Sequence, residues 1–339
     1  TDEKNIIYKA AMKLFSATEK EILTGIKIHL SKKIPHGAGL GGGSADAAAT
    51  LIALNKLYDL DFSKKELLNM KIIQQTNMNA KQSMGYEIIA ESGELLVVDG
   101  GYSGNEDELR RLIKSAGGHV SLWLITHPHC DHHNAVIGVL TEPQGITVDR
   151  IGTSMLPDAW ARGKRDEEDL LNWNQFERTL DNVFRIQEGQ VFQLGSMKVE
   201  VLSGANPDLL NEPFNNQSCV FRVSEDDFTL LILGDLGVEG GRRLLQKGYN
   251  LKADAVQMAH HGQGGVEEEV YQVINPEWAF WPTPDWLWQN VPYIGGIPGT
   301  GPFKTQEVIK WMEKLGVKNI TCFDHTVMFD TKIKKTVKY

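Results

Sequence analysis

Four histidines and one aspartate fall within seven residues, His127 to His133, directly after the apolar run Val120–Ile125. A hydrophobic core cannot absorb that many imidazoles at one point, so Thr126-His127-Pro128-His129-Cys130-Asp131-His132-His133 belongs where a strand ends and a cleft begins. His127, His129, Asp131 and His132 stand at i, i+2, i+4 and i+5, a spacing that lets a loop close on a pair of cations. Imidazole nitrogen with carboxylate oxygen suits zinc, manganese or iron. Two later runs end in the same kinds of donor. Phe228–Leu233 reads as a buried strand ending in Gly234-Asp235, and Ala253–Ala259 as another ending in His260-His261-Gly262. Around them short strands alternate with helices, which predicts an α/β class. Tyr86–Ile89 and Glu94–Val98 form a hairpin about Ser92-Gly93, Glu106–Ala116 a helix, Cys219–Val223 a strand and Lys304–Lys314 a closing helix.

His-x-His-x-Asp-His, then Gly-Asp, then His-His-Gly resembles the metallo-β-lactamase superfamily over about residues 71–328. That resemblance implies an αββα sandwich with two divalent metal ions, zinc or manganese, at one edge of its sheets. It assigns His127 and His129 to the first ion, and Asp131 and His132 to the second. Asp235 would bridge the two, and His260 or His261 would complete the second set. Asp99, before Gly100-Gly101, matches the aspartate that orients the histidine loop. The superfamily's third histidine for the first ion is missing, because no histidine lies between Asn134 and Ala259. Asn215-Asn216-Gln217-Ser218 stands there instead, a pattern similar to competence-type DNA-uptake proteins and related phosphorylcholine esterases. The first ion is then expected to be held more weakly, its set completed by Asn, Ser or water. Cys130 is assigned no ligand role.

The front of the chain has another character. Residues 1–70 hold 10 Lys and no Arg against 8 Asp+Glu, while all eight tryptophans lie after residue 120. Asn5–Phe15 reads as an amphipathic helix and Gly25–Leu30 as a half-buried strand. Pro35-His36-Gly37-Ala38-Gly39-Leu40-Gly41-Gly42-Gly43-Ser44 then opens an alanine-rich helix running to about Tyr58. Glycines ahead of a helix N-terminus let backbone N–H groups converge on an anion. Residues 5–68 resemble an internal segment of 4-diphosphocytidyl-2-C-methyl-D-erythritol kinase, of the GHMP kinases. The resemblance implies ATP-phosphate contacts at Gly37, Gly39, Gly41, Gly42, Gly43 and Ser44. The kinases also need a substrate strand, a catalytic Asp and a C-terminal domain, none of which can be matched, so kinase activity is not expected. The division expected is a GHMP-kinase-like fragment, α+β in class, at 1–69 and a hydrolase domain at 70–339.

Composition sets the outer limits. The formal charge of −9 argues against passive, whole-surface binding of nucleic acid, which could enter only as a substrate. Apolar runs are too short for a membrane span, and three cysteines (Cys130, Cys219, Cys322) suit a reducing cytoplasm. The expected activity is dinuclear hydrolysis by a metal-bound hydroxide, with Asp131 and Asp235 as the catalytic carboxylates and a phosphodiester as substrate. The alternative is a nucleotide-binding or inactive chimera whose Gly-rich loop alone is active. Trp281–Trp288 could wall the substrate or pack a core edge; Tyr293–Gly301 could cover the site or merely connect.

Overall fold

The computed structural model describes residues 6–18, 26–29, 42–60, 69–78, 81–292 and 296–339. In chain order its strands are β1 (Lys71–Gln74), β2 (Gly85–Ile89), β3 (Leu95–Asp99), β4 (His119–Val120), β5 (Leu122–Leu124), β6 (Thr147–Val148), β7 (Ile151–Thr153), β8 (Val183–Arg185), β9 (Val191–Leu194), β10 (Met197–Ser203), β11 (Val220–Glu225), β12 (Phe228–Ile232), β13 (Ala255–Gln257), β14 (Trp278–Trp281), β15 (Lys318–Thr321), β16 (Val327–Asp330) and β17 (Lys335–Lys338). One sheet has the order β17-β16-β1-β2-β3-β5-β7-β8, the other β15-β14-β13-β12-β11-β10-β9. Each is antiparallel in one half and parallel in the other: β3-β5-β7-β8 and β12-β13-β14-β15 run parallel.

Strand burial on both faces explains the layers. In β3, Leu96 and Val98 point inward to meet Val199, Phe221, Val223 and Leu230 of the opposite sheet. Leu95 and Val97 point outward and pack with Leu109 and Ile113 of helix Glu106–Ser115 and Val136 of helix Cys130–Thr141. The second sheet does the same, with Leu231, Val256 and Ala279 packed against Leu244, Val270 and Met312. Near-continuous apolar strands are what a parallel sheet covered on both faces requires. Each fully buried side chain of this size is worth about 1.5–3 kcal/mol. The result is the αββα sandwich expected.

Three local expectations need correction. Val120–Ile125 is two strands, since β4 pairs with β6 while Ser121 N–H donates to Leu95 O and β5 joins the main sheet. Ala253–Ala259 shortens to β13, because the chain turns left-handed at His260. Residues 26–29 are not a strand; Ile26 and Ile28 are exposed, and among the described residues no ladder pairs with them. Helices Ile6–Ala17 and Gly42–Leu57 pack together through Ala11, Leu14 and Leu54. Gly37, Gly39 and Gly41 lie outside the described residues, and Gly42, Gly43 and Ser44 begin the second of these helices. Among the described residues no helix is long and apolar enough to cross a membrane.

Candidate metal centre

Parallel strands deliver their carboxyl ends to one edge, and that edge is where open α/β sheets place ligands. Asp99 ends β3, Thr126 and the histidine loop follow β5, Gly234-Asp235 follows β12, and His260-His261 follows β13. The seven expected ligands therefore meet although 134 positions separate the first from the last (261 − 127). Two groups form: His127, His129 and Asp235, and Asp131, His132 and His261, with the ligand atoms of each group within 4.8 Å of one another. Asp235 joins them, its carboxylate lying 3.8 Å from His127 Nε2, 3.3 Å from His132 Nε2 and 3.4 Å from His261 Nε2.

Three imidazoles are held from behind. Thr126 Oγ1 donates to Asp99 Oδ2 at 2.7 Å, so its remaining contact, 3.0 Å from His127 Nδ1, must accept from that ring. His132 Nδ1 donates to Asp99 Oδ2 at 2.8 Å, and His261 Nδ1 to Pro282 O at 2.8 Å. Each ring thus presents an Nε2 lone pair to the cleft, the arrangement outer partners impose on metal-binding imidazoles. His129 is turned the other way, with Nδ1 3.0 Å from His127 Nε2 and Nε2 3.6 Å from Asp166 Oδ2. Its ring stacks on Phe214 with centroids 5.9 Å apart.

His132 Nε2, His261 Nε2 and Asp235 Oδ1 are buried and close only on one another and on Asp131, with no hydrogen-bond partner outside the cluster. Orphaned polar atoms facing one another inside a protein are costly unless a cation completes them, so these residues fit a divalent metal pair. The carboxylates favour protons on two of these rings, which metal binding would displace. Burial works against an ionised Asp235, yet His261, His132 and His127 hold its carboxyl well below the usual range. Burial likewise works against a charged His132, but Asp235, Asp99 and Asp131 hold it well above. His261 is pushed up to about 10, Asp235 and Asp131 overcoming its burial. His127, buried and beside His132, is pushed well down.

Other expected roles settle differently. Ser218 Oγ accepts from Asp235 N–H at 2.9 Å, and Asn216 Oδ1 accepts from Gly237 and Gly240 N–H at 3.1 Å. Both brace the Asp235 turn; of the Asn-Asn-Gln-Ser string Asn215 alone lines the cleft, 3.5 Å from His260 Nε2. The Cys130 thiol is pushed up to about 12 by burial and Asp169, which keeps it neutral. Trp281 is buried with Trp288 against it at 5.0 Å, so the core-edge role holds for that pair. Trp286 instead lines a cleft of about 1380 Å³ beside His129, Asp131, Asp235 and His260. His325 pairs with Asp324 and touches none of these groups. Residues 293–295 of the Tyr293–Gly301 loop lie outside the described residues. The backing partners Thr126, Pro282 O and Asp166 carry no motif; the single signal is Asp166 standing just before an acidic first turn, Glu167-Glu168-Asp169.

Residues 5–86 match the GHMP kinases N terminal domain family. Curated relatives include the 4-diphosphocytidyl-2-C-methyl-D-erythritol kinases of Syntrophomonas wolfei, 40% identical over 97 residues (28% of this chain, 33% of that one), and Clostridium acetobutylicum, 51% identical over 72 residues (21% and 25%). The chain thus spans a third or less of the length of these relatives. The family match runs past residue 68 through β1 and into β2, strands built into the first sheet. Similar solved structures include the metallo-β-lactamase fold protein YhfI from Bacillus subtilis, at TM-score 0.47 and 12% identity, covering 74% of this chain and 95% of that one. A diphosphatase from the PhnP family is similar at TM-score 0.39 and 11% identity, covering 62% and 85%. The chain thus joins a stretch similar to the N-terminal domain of GHMP kinases to an αββα sandwich similar to structures of the metallo-β-lactamase fold.

Proposed function

We propose that residues 70–339 form a dinuclear metal-dependent hydrolase acting on a phosphodiester. The observation that carries this reading is the meeting of two triads of ligand atoms with Asp235 as a common neighbour. Two divalent ions bound there, zinc or manganese by donor type, would supply Lewis-acid activation of water and of the reacting centre. The chain's own residues do the rest. Asp235 offsets the repulsion of two neighbouring cations, Asp131 and His132 with His261 fix one of them, and His127 with His129 fixes the other. Asp99 holds both Thr126 and His132, so the loop arrives already shaped. Lys81, Lys164 and Arg165 line the cleft beside Asp166, Asp169 and Glu212, and the three cations supply groups with which an anionic phosphodiester could pair.

The division at 69/70 is part of the same proposal, supported by Met70 being buried and its carbonyl accepting from Thr331. Three free cysteines support a reducing, cytoplasmic setting. A second reading, ATP-phosphate binding at the Gly-rich loop, is favoured by the family match over residues 5–86. Metal-loaded protein assayed with aryl phosphodiesters, phosphomonoesters, lactones and β-lactams tests the first. Turnover confined to β-lactams or lactones would sink the phosphodiester assignment, and protein that takes up no metal would sink the hydrolase. Binding of labelled ATP tests the second.

A further inference from the structure

His260 and His261 are adjacent, yet their rings part. Both residues are left-handed, at φ 51°, ψ 50° and φ 52°, ψ 24°. The conformation is pinned: His260 N–H donates to Gly234 O at 3.0 Å. The buried Gln257 amide accepts from Leu233 and Gly234 N–H at 2.8 Å and donates to Met258 O at 2.6 Å. The turn carrying both histidines is therefore bolted to the turn carrying Asp235. In an extended strand neighbouring side chains would point to opposite faces and one would leave the site. Here the left-handed turn keeps both inside, with ring centroids 6.5 Å apart.

Their surroundings differ. His261 Nε2 lies 3.0 Å from Asp131 Oδ2, on the second triad. His260 Nε2 lies 4.0 Å from Asp235 Oδ2 and 3.5 Å from Asn215 Nδ2, and His260 lines the cleft together with His129, which His261 does not. His129 and Asp235 both belong to the first triad. Resting on the dinuclear reading above, we infer that the two histidines serve different ions: His261 completes the second set, and His260 completes the first. The left-handed turn thus supplies, from after β13, the imidazole that is missing between Asn134 and Ala259.

The test counts and weighs zinc. Stripped wild-type protein is reloaded with Zn²⁺, its ions counted by elemental analysis and their affinities measured by competition with a chelating indicator. His260→Asn tolerates the left-handed backbone, His260→Gly removes all side-chain demand there, and circular dichroism confirms the fold of each. Wild type should take up two ions, and either variant should hold one of them about tenfold or more weakly. Assignment comes from a His127→Ala background, where the first ion is already lost. Adding His260→Asn there should leave the remaining ion's affinity within about twofold, the ordinary scatter of independent changes. Adding His261→Asn should weaken it by about tenfold or more. If the His260 double variant loses its remaining ion as readily as the His261 one, the assignment is overturned. Wild type that takes up fewer than two ions overturns the dinuclear reading itself, a result distinct from the variant pattern.

Discussion

Two carboxyl groups are fully buried in the same sandwich and behave in opposite ways. Glu87 on β2 has one partner, the Gln75 amide at 2.6 Å, and its other oxygen has none. Burial pushes it up to about 8, with Gln75 only partly opposing. Asp235 is just as deeply placed, yet three imidazoles keep it ionised. Burial alone neutralises an acid; staying charged inside a protein takes an organised set of partners. That contrast marks where chemistry is meant to happen more sharply than burial or polarity would separately.

The strongest way to break the contrast is to neutralise Asp235. Asp235→Asn keeps the shape and removes the charge between the cations. It should lower kcat on an aryl phosphodiester by about two orders of magnitude or more, roughly 3 kcal/mol. Near-normal turnover in a folded, metal-loaded variant would remove Asp235 as the bridge. Next comes Asp99, which reaches both Thr126 and His132. Asp99→Asn should weaken zinc binding by about 10–100-fold, read by chelator competition, and unchanged affinity would reduce it to a turn former.

Glu87 sharpens the other side. Burial sets its folded value near 8 against an ordinary 4.5, so between those limits the native state holds a proton that the unfolded chain has released. Stability should therefore fall as pH rises from about 5 to 8, and stay low above. Glu87→Gln should flatten that slope and be the more stable protein at pH 9, by about 5 kcal/mol in denaturant titrations. A slope that survives the substitution would assign the effect to other groups. The smallest effect is expected from deleting residues 1–69, which should leave melting temperature and zinc content nearly unchanged. An insoluble or metal-free remainder would show that the front segment packs into the sandwich.

The donors were legible in sequence because they are chemically dense: four histidines in seven residues, then Gly-Asp, then His-His-Gly, each after an apolar run. The layers were legible because short continuous apolar runs mark strands covered on both faces and period-3.6 patterns mark the helices that cover them. The parting of His260 from His261 was not, since it depends on a left-handed turn no side-chain pattern announces. Nor were the backing groups, because Pro282 contributes a backbone carbonyl and Thr126 looks like any threonine after a strand. Asn216 and Ser218 misled for the opposite reason: polar residues near a site suggest ligands, and these two are spent on backbone N–H groups. The failed strand at residues 26–29 had the right alternation and no paired strand among the described residues.

β1 is hydrogen-bonded on one side to β2 and on the other to β16, Ile72 opposite Phe329. During synthesis, one flank of β1 can be zipped as soon as the hairpin emerges, while the other waits for a strand made some 250 residues later (329 − 72 = 257). Every side chain of the two proposed metal triads leaves the ribosome in that interval, before the sheet is complete. The nascent chain thus carries an open sheet edge, a natural template for pairing with a stranger, for most of its translation.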